Sequence, residues 1–342
     1  LNKSKIKDDY DIILSQLPQL QPIVAKKHFH ETGTQRIYQR FCLVLTNIKK
    51  AVEEIVRLDI SPASAGAFIF LCKTKEDTQK DFEDKLKELS QIKFPKPVII
   101  GTSKNFNEFF NYALEIAALK RVKSTVDAIE GDAIAKKELN GRLTAYQNLL
   151  FNSLYLNFEN ADWTFNKNKV KENNLSSIAS LISYEVFKLT PIIHNELVVR
   201  DRLSSMSMSG ASNLLNRVFN NSDLKNLGME GNPSEFGIYL SLIKSNNLHI
   251  KKGDEFVISI ESTNNKSIKT IYDEFLKLIK NSKEAVNVSD IYAHFVKQPY
   301  GIKIGLMPIL IGIFFKATEA SCAFYNKDEQ GRESLITEFD QK

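Results

Sequence analysis

The chain has 342 residues, 43% of them hydrophobic and 25% charged, which is enough apolar material for two or three globular domains and excludes wholesale disorder. Its 46 basic and 41 acidic residues leave a formal charge of +5, which permits a local basic surface without demanding a nucleic-acid partner. Three widely spaced cysteines, Cys42, Cys72 and Cys322, form no Cys-x-x-Cys pair, so each is read as a buried thiol in a reducing cytoplasm.

Residues 1–33 read as a linker or helix from a preceding domain. The chain starts at Leu1, and both ends are expected to be cut from a longer polypeptide. Residues 34–160 read as a small parallel α/β unit with a long amphipathic helix. The apolar runs at Arg36–Leu45, Gly66–Cys72 and Pro97–Gly101 are strands, and the segments between them carry helical spacing. Strands alternating with helices imply parallel pairing. Phe106, Phe109, Phe110, Ala113, Leu114 and Ala117 mark another helix. Asp132 is a candidate N-cap for the long helix that continues through Leu139, Leu150 and Leu154. The polar stretch from Asn157 to Asn174, which holds the single Trp, reads as the domain boundary.

Residues 175–262 and 266–342 read as two winged-helix-like units, each a set of helices followed by a hairpin. In the first, Asn232-Pro233-Ser234-Glu235 has the residues of a helix start, and Lys251-Lys252-Gly253-Asp254 reads as a hairpin turn. In the second, Ser289 is the expected cap of a short helix. The fold class expected is therefore mixed α/β and mostly α. The longest apolar run, Ile304–Phe315, holds Pro308 and is too short to cross a bilayer, so a cytoplasmic chain without a membrane partner is expected.

Chemical motifs are sparse. No GxxxxGK[ST] loop is present, no HExxH, and the Ser204–Ser209 run lacks GxSxG context. No catalytic residue, cofactor or metal site is therefore assigned within the chain. Gly101-Thr102-Ser103-Lys104 sits where a strand meets a helix and would hold an anion, but an ordinary βα turn is the commoner meaning. His28 and His30 would share a face if they lay on a strand, with a surface or turn role the commoner meaning again. Candidate nucleic-acid contacts are Lys251 and Lys252 on the first hairpin and Lys297, Lys303 and Lys327 in the second unit. Against that, the helix in IGLMPILIGIFFKA is too apolar to read bases. Asn195 and Glu196 with Arg200, Asp201 and Arg202 form the densest polar cluster, with Asn195, Glu196 and Arg200 as the candidate joint residues. Glu196 and Arg200 at i,i+4 read first as a solvated ion pair, and more sharply as a polar joint between helices.

Five stretches carry a resemblance: Phe29–Thr34 (FHETGT), Gly131–Leu139 (GDAIAKKEL), Thr190–Arg200 (TPIIHNELVVR), Leu227–Pro233 (LGMEGNP) and Pro299–Leu310 (PYGIKIGLMPIL). They are similar to the region downstream of the nucleotide-binding domain in very large bacterial P-loop ATP-binding proteins of phage-defence and restriction loci, including the BREX type. The resemblance implies an ATPase domain with ATP and Mg²⁺ elsewhere in the polypeptide, and partner subunits or DNA, in a complex or oligomer. The expectation is thus a non-catalytic coupling region. A two-winged-helix DNA-binding regulator and an unrecognised nuclease are the alternatives.

Overall fold

The computed structural model describes residues 15–45, 47–73, 78–103, 108–125, 131–282, 284–327, 330 and 332–335. It is mixed α/β with helical packing in its second half, as the sequence pattern predicts. The chain divides into two compact units, described separately. One is Arg36–Ile182 with the described residues up to Ala25, and the other is Lys26–Gln35 with the described residues from Ser183 onward.

In the first unit, β1 (Ile23–Val24), β2 (Ile37–Leu45), β3 (Gly66–Lys73), β4 (Val98–Thr102), β5 (Asp162–Phe165) and β6 (Asn168–Lys169) form one sheet in that order. The β2, β3 and β4 strands are parallel, and the flanking pairs are antiparallel. Central β3 is an uninterrupted apolar run with Ala67–Cys72 wholly buried, the composition of a strand covered on both faces. Its crossovers are α2 (Ile48–Arg57) and α3 (Gln79–Leu89), started respectively by the Asn47 side chain and by a Thr78–Asp81 capping box. Helix α4 (Glu108–Thr125) lies along α5 (Ala133–Glu159). The Asp132 carboxylate accepts from the Ile134 and Ala135 amides and starts α5 at the expected place.

Two expectations need correction here. The stretch from 157 to 174 is not a boundary. Helix α5 runs to Glu159, and β5 then adds to the sheet, with Trp163 opposite Gly101. Trp163 and Phe165 are buried while Asp162 is exposed, the alternation of a half-covered strand. A side chain at position 101 would place its Cβ 2.3 Å from the Trp163 ring, so glycine is what lets the indole cross β4. Nor are residues 15–33 a linker: β1 pairs with β2, and Lys26–Gln35 groups with the second unit.

The second unit holds α1 (Lys26–Thr32), the end of α6 (Leu175–Val186), α7 (Ser205–Asn220) and α8 (Phe236–Ile238, continued as a π-helix over Tyr239–Lys244). These are followed by the hairpin β7 (His249–Lys252) and β8 (Glu255–Ile258). Then come α9 (Lys266–Lys280), α10 (Val288–Val296), α11 (Met307–Thr318) and the hairpin β9 (Tyr325–Lys327) and β10 (Glu333–Leu335). The order of helices followed by a hairpin occurs twice, as the pattern predicts. The two halves are nonetheless not separate: one continuous core runs from Ile193 to Phe314. The cause is α11. It is apolar on nearly every side and must be covered all round. Helix α7 covers one side, with Leu215 against Gly312, and Tyr272 and Phe275 of α9 pack on Phe314 from another.

Local starts also differ. Helix α8 begins at Phe236 with no side-chain cap, because the Glu235 carboxylate is turned to Arg217. The cap of α10 is Asn287, which accepts from the Ser289 amide, in place of Ser289 itself. Lys251 and Lys252 lie in β7, and the turn is Gly253-Asp254, with Gly253 at φ +67°.

Candidate functional site

Three of the five resembling stretches meet in the second unit. The Ile193 amide donates to the Thr32 carbonyl (3.1 Å), and the Leu189 amide to the Pro299 carbonyl (3.1 Å). The Thr190 hydroxyl donates to the Tyr300 carbonyl (2.6 Å), and the Gly305 amide to the Arg200 carbonyl (2.8 Å). Gly33 has φ +74°, and a Cβ there would lie 2.0 Å from the Ile193 carbonyl oxygen, so both backbone shape and space demand glycine. The residues of these stretches make a backbone joint.

Of the expected polar cluster, Arg200 enters the joint through its carbonyl alone, and Asn195 is the member whose side chain is buried. Its Nδ2 donates to Ser241 Oγ (2.6 Å), and its Oδ1 accepts from the Leu197 and Val198 amides. Glu196 and Arg200 are exposed in a non-helical turn, so i,i+4 spacing does not bring them together and no ion pair joins them. The charge pair at this place is Lys303–Asp201 (2.5 Å), with the Lys303 side chain only 11% exposed. Lys303 is therefore withdrawn as a nucleic-acid contact. Lys327 pairs with Glu333 (3.4 Å). Lys251, Lys252 and Lys297 are exposed. Glu255 faces Lys252 across the hairpin and Asp254 sits in its turn, so the tip carries two positive and two negative side chains.

His28 and His30 lie on helix α1, where i and i+2 diverge, with His28 buried and His30 exposed. His28 Nδ1 is 3.3 Å from both the Thr34 carbonyl and Thr32 Oγ1, and its ring packs on Tyr184. Burial, with the hydrogen bond to Glu31 second, pushes the Tyr184 hydroxyl's pKa up. No group of three or more metal-ligating side chains occurs among the described residues. Gly101-Thr102 ends β4; Lys104 lies outside the described residues. Cys72 is buried, but Cys42 and Cys322 are only partly so. Neighbouring strands bring Cys42 Sγ to 3.4 Å from Cys72 Sγ, and burial, with this contact second, pushes the Cys72 thiol up. Cys42 lines a pocket of ≈ 240 Å³ in the first unit with Arg40, Leu154 and Phe158. Arg40 Nε donates to the Gln21 carbonyl (2.7 Å), and its guanidinium lies over the Tyr155 and Phe158 rings.

A second concavity, ≈ 340 Å³, opens in the second unit and is lined by Asn213, Asn216, Arg217, Asn220, Asn221 and Glu235. Glu235 is 3% exposed. It accepts from Arg217 Nε (2.9 Å) and from Ser234 Oγ (3.2 Å). Burial raises the Glu235 pKa, but its own backbone amide, Arg217 and Ser234 together outweigh that and leave it below the ordinary value, so the pair is an ionised one. Reading the sequence for apolar spacing at Ala211–Phe219 missed this feature. The signal was present as Asn213, Asn216, Arg217 and Asn220 at i, i+3, i+4 and i+7, one face of α7.

No helix among the described residues is long and apolar enough to cross a membrane. No protein-family model, curated protein or solved structure matches the chain.

Proposed function

We propose that the chain is a non-catalytic coupling region of a larger bacterial anti-phage ATP-binding protein, one that joins a nucleotide-driven domain to partner subunits. The single observation behind this reading is the convergence of the resembling stretches 29–34, 190–200 and 299–310 on a joint of backbone hydrogen bonds closed by Gly33. Residues held in that way fix the geometry between elements, which is what a mechanical linkage needs. Partner proteins are favoured over duplex DNA as the target. Two of the five candidate lysines are engaged in ion pairs, and the hairpin tip is balanced in charge, so little is left to displace counterions from a phosphate backbone. ATP and Mg²⁺ belong, on this proposal, to a separate part of the polypeptide.

Sequencing the complete gene tests it. A GxxxxGK[ST] loop in the same reading frame upstream of position 1 is the expected result. A complete reading frame with no such loop overturns the proposal.

A further inference from the structure

Two of the three cysteines meet in the first unit, and the coupling reading gives them no role. Cys42 Sγ on β2 lies 3.4 Å from Cys72 Sγ on β3. Cys72 is wholly buried, whereas Cys42 is partly exposed and lines the pocket of ≈ 240 Å³. Neither strand is an edge: β2 pairs with β1 and β3, and β3 with β2 and β4, so the sheet backbone holds the two sulfurs side by side. Arg40 shares the pocket wall, two residues from Cys42 on the same face of β2. Its Nη1 is buried and has no hydrogen-bond partner among the described residues.

Distance decides which chemistry the pair supports. In the parallel register Cys42 stands opposite Phe70 and Cys72 opposite Val44, so the two cysteines are diagonal neighbours. With strands about 4.8 Å apart and about 3.3 Å of rise per residue, their Cα atoms are roughly 8 Å apart, beyond the ~7 Å that a disulfide spans without moving backbone. A single bridging atom suits the gap better. Two sulfur bonds of about 2.3 Å closing a 3.4 Å span meet at about 95°. A near-linear two-coordinate ion such as Cu(I) would hold the sulfurs about 4.6 Å apart and leave a net negative charge on two buried thiolates. Structural zinc takes four ligands, and no third His, Cys, Asp or Glu joins the pair among the described residues. Burial also pushes the Cys72 thiol's pKa up, which favours a ligand whose complex leaves no charge behind.

A trivalent arsenic centre meets each of these conditions. It is pyramidal, with bond angles a little above a right angle, and it binds thiols as a neutral species. We propose that Cys42 and Cys72 form a chelating dithiol site for arsenous acid, As(OH)₃, entered from the pocket at Cys42. Two S–As bonds form and two As–O bonds break. Each departing hydroxyl leaves with one thiol proton as water, so the product (RS)₂AsOH is neutral and nothing is oxidised or reduced. The hydroxyl that stays on arsenic brings an oxygen acceptor into the pocket that Arg40 Nη1 lines. The site lies within the first unit and does not depend on the coupling reading.

The test titrates the full, reduced chain with sodium arsenite and weighs the folded protein by native mass spectrometry. A single adduct is expected, heavier by one As(OH)₃ less two waters. Cys42→Ser and Cys72→Ala should each weaken binding on the order of 100-fold, the loss of one arm of a chelate, whereas Cys322→Ser should leave it unchanged. If a variant fails to fold, the parent still decides the matter: dithiothreitol should strip the arsenic at concentrations where the monothiol mercaptoethanol does not. No adduct on the folded parent, an adduct lost with Cys322, one undiminished in Cys42→Ser, or equal displacement by the monothiol would each overturn the proposal. Zinc occupying the pair in a parallel titration would overturn it too. Every readout uses this chain alone, so its failure leaves the coupling proposal to the gene-level test.

Discussion

Removing the ring of Phe314 tests whether the second unit has one core or two. Phe314 is fully buried in α11 and packs edge-on against Tyr272 (5.3 Å) and tilted against Phe275 (5.5 Å) of α9. The same helix packs on α7, in the other half of the unit. Transfer of the lost ring accounts for about 2–3 kcal/mol, and the cavity left behind brings the cost of Phe314→Ala to about 3–5 kcal/mol. For a unit of this size that lowers the midpoint by roughly 10 °C. Hydrogen exchange followed peptide by peptide reports where the loss falls. A shared core requires the slow amides of α7 and of α9 to lose protection together and by the same free energy. Trp163, the single Trp, is buried in the first unit, so its fluorescence follows that unit separately. If α7 and the first hairpin keep their protection while α9 to α11 lose theirs, the halves are independent domains and the fused-core description is wrong.

Three further outcomes follow from the geometry. His249 donates from Nε2 to the Ser222 carbonyl (2.9 Å) and accepts at Nδ1 from the Tyr239 hydroxyl (3.1 Å), and burial holds its pKa below the ordinary 6.5 despite the Ser222 bond. The unfolded chain therefore takes up a proton first as pH falls, so stability present above pH 6.5 declines below it; urea midpoints at several pH values should show that slope, and His249→Gln should flatten it. Gly101→Ala, whose Cβ would meet the Trp163 ring at 2.3 Å, should cost about 1–3 kcal/mol and change Trp fluorescence, and an unaltered spectrum would contradict the packing. Lys303→Ala should cost up to about 1 kcal/mol by removing the ion pair with the exposed Asp201 and the packing of the nearly covered lysine stem, whereas Lys251→Ala with Lys252→Ala, on exposed strand positions, should leave denaturation midpoints within about 0.5 kcal/mol of the parent.

The parallel α/β half was legible because its signals are local. Strand β3 is covered on both faces and so reads as an unbroken apolar run, and Asp132 caps α5 through its own next residues. Strand β5 was missed because its two buried aromatics stand in a stretch whose polar composition outweighs a four-residue alternation, and its partner Gly101 is far away in sequence. Glu235 has the residue type of a first-turn helix acid, but a long-range partner, Arg217, claims it. Lys303 looked like any surface lysine; only the fold shows that it pairs with Asp201 and is largely covered. The unbroken apolarity of α11 was legible, and it correctly pointed to burial. That it would merge two helix–hairpin sets into one core was not, since periodicity does not say which neighbour covers a helix.

Hydrogen exchange across residues 15–335 in the complete protein, with and without ATP and Mg²⁺, tests the coupling proposal most directly. Nucleotide should change protection at the joint formed by Thr32, Ile193, Pro299 and Gly305, with the isolated chain unresponsive to the same additions. Identical exchange with and without nucleotide, or ATP turnover by the isolated chain, would contradict it.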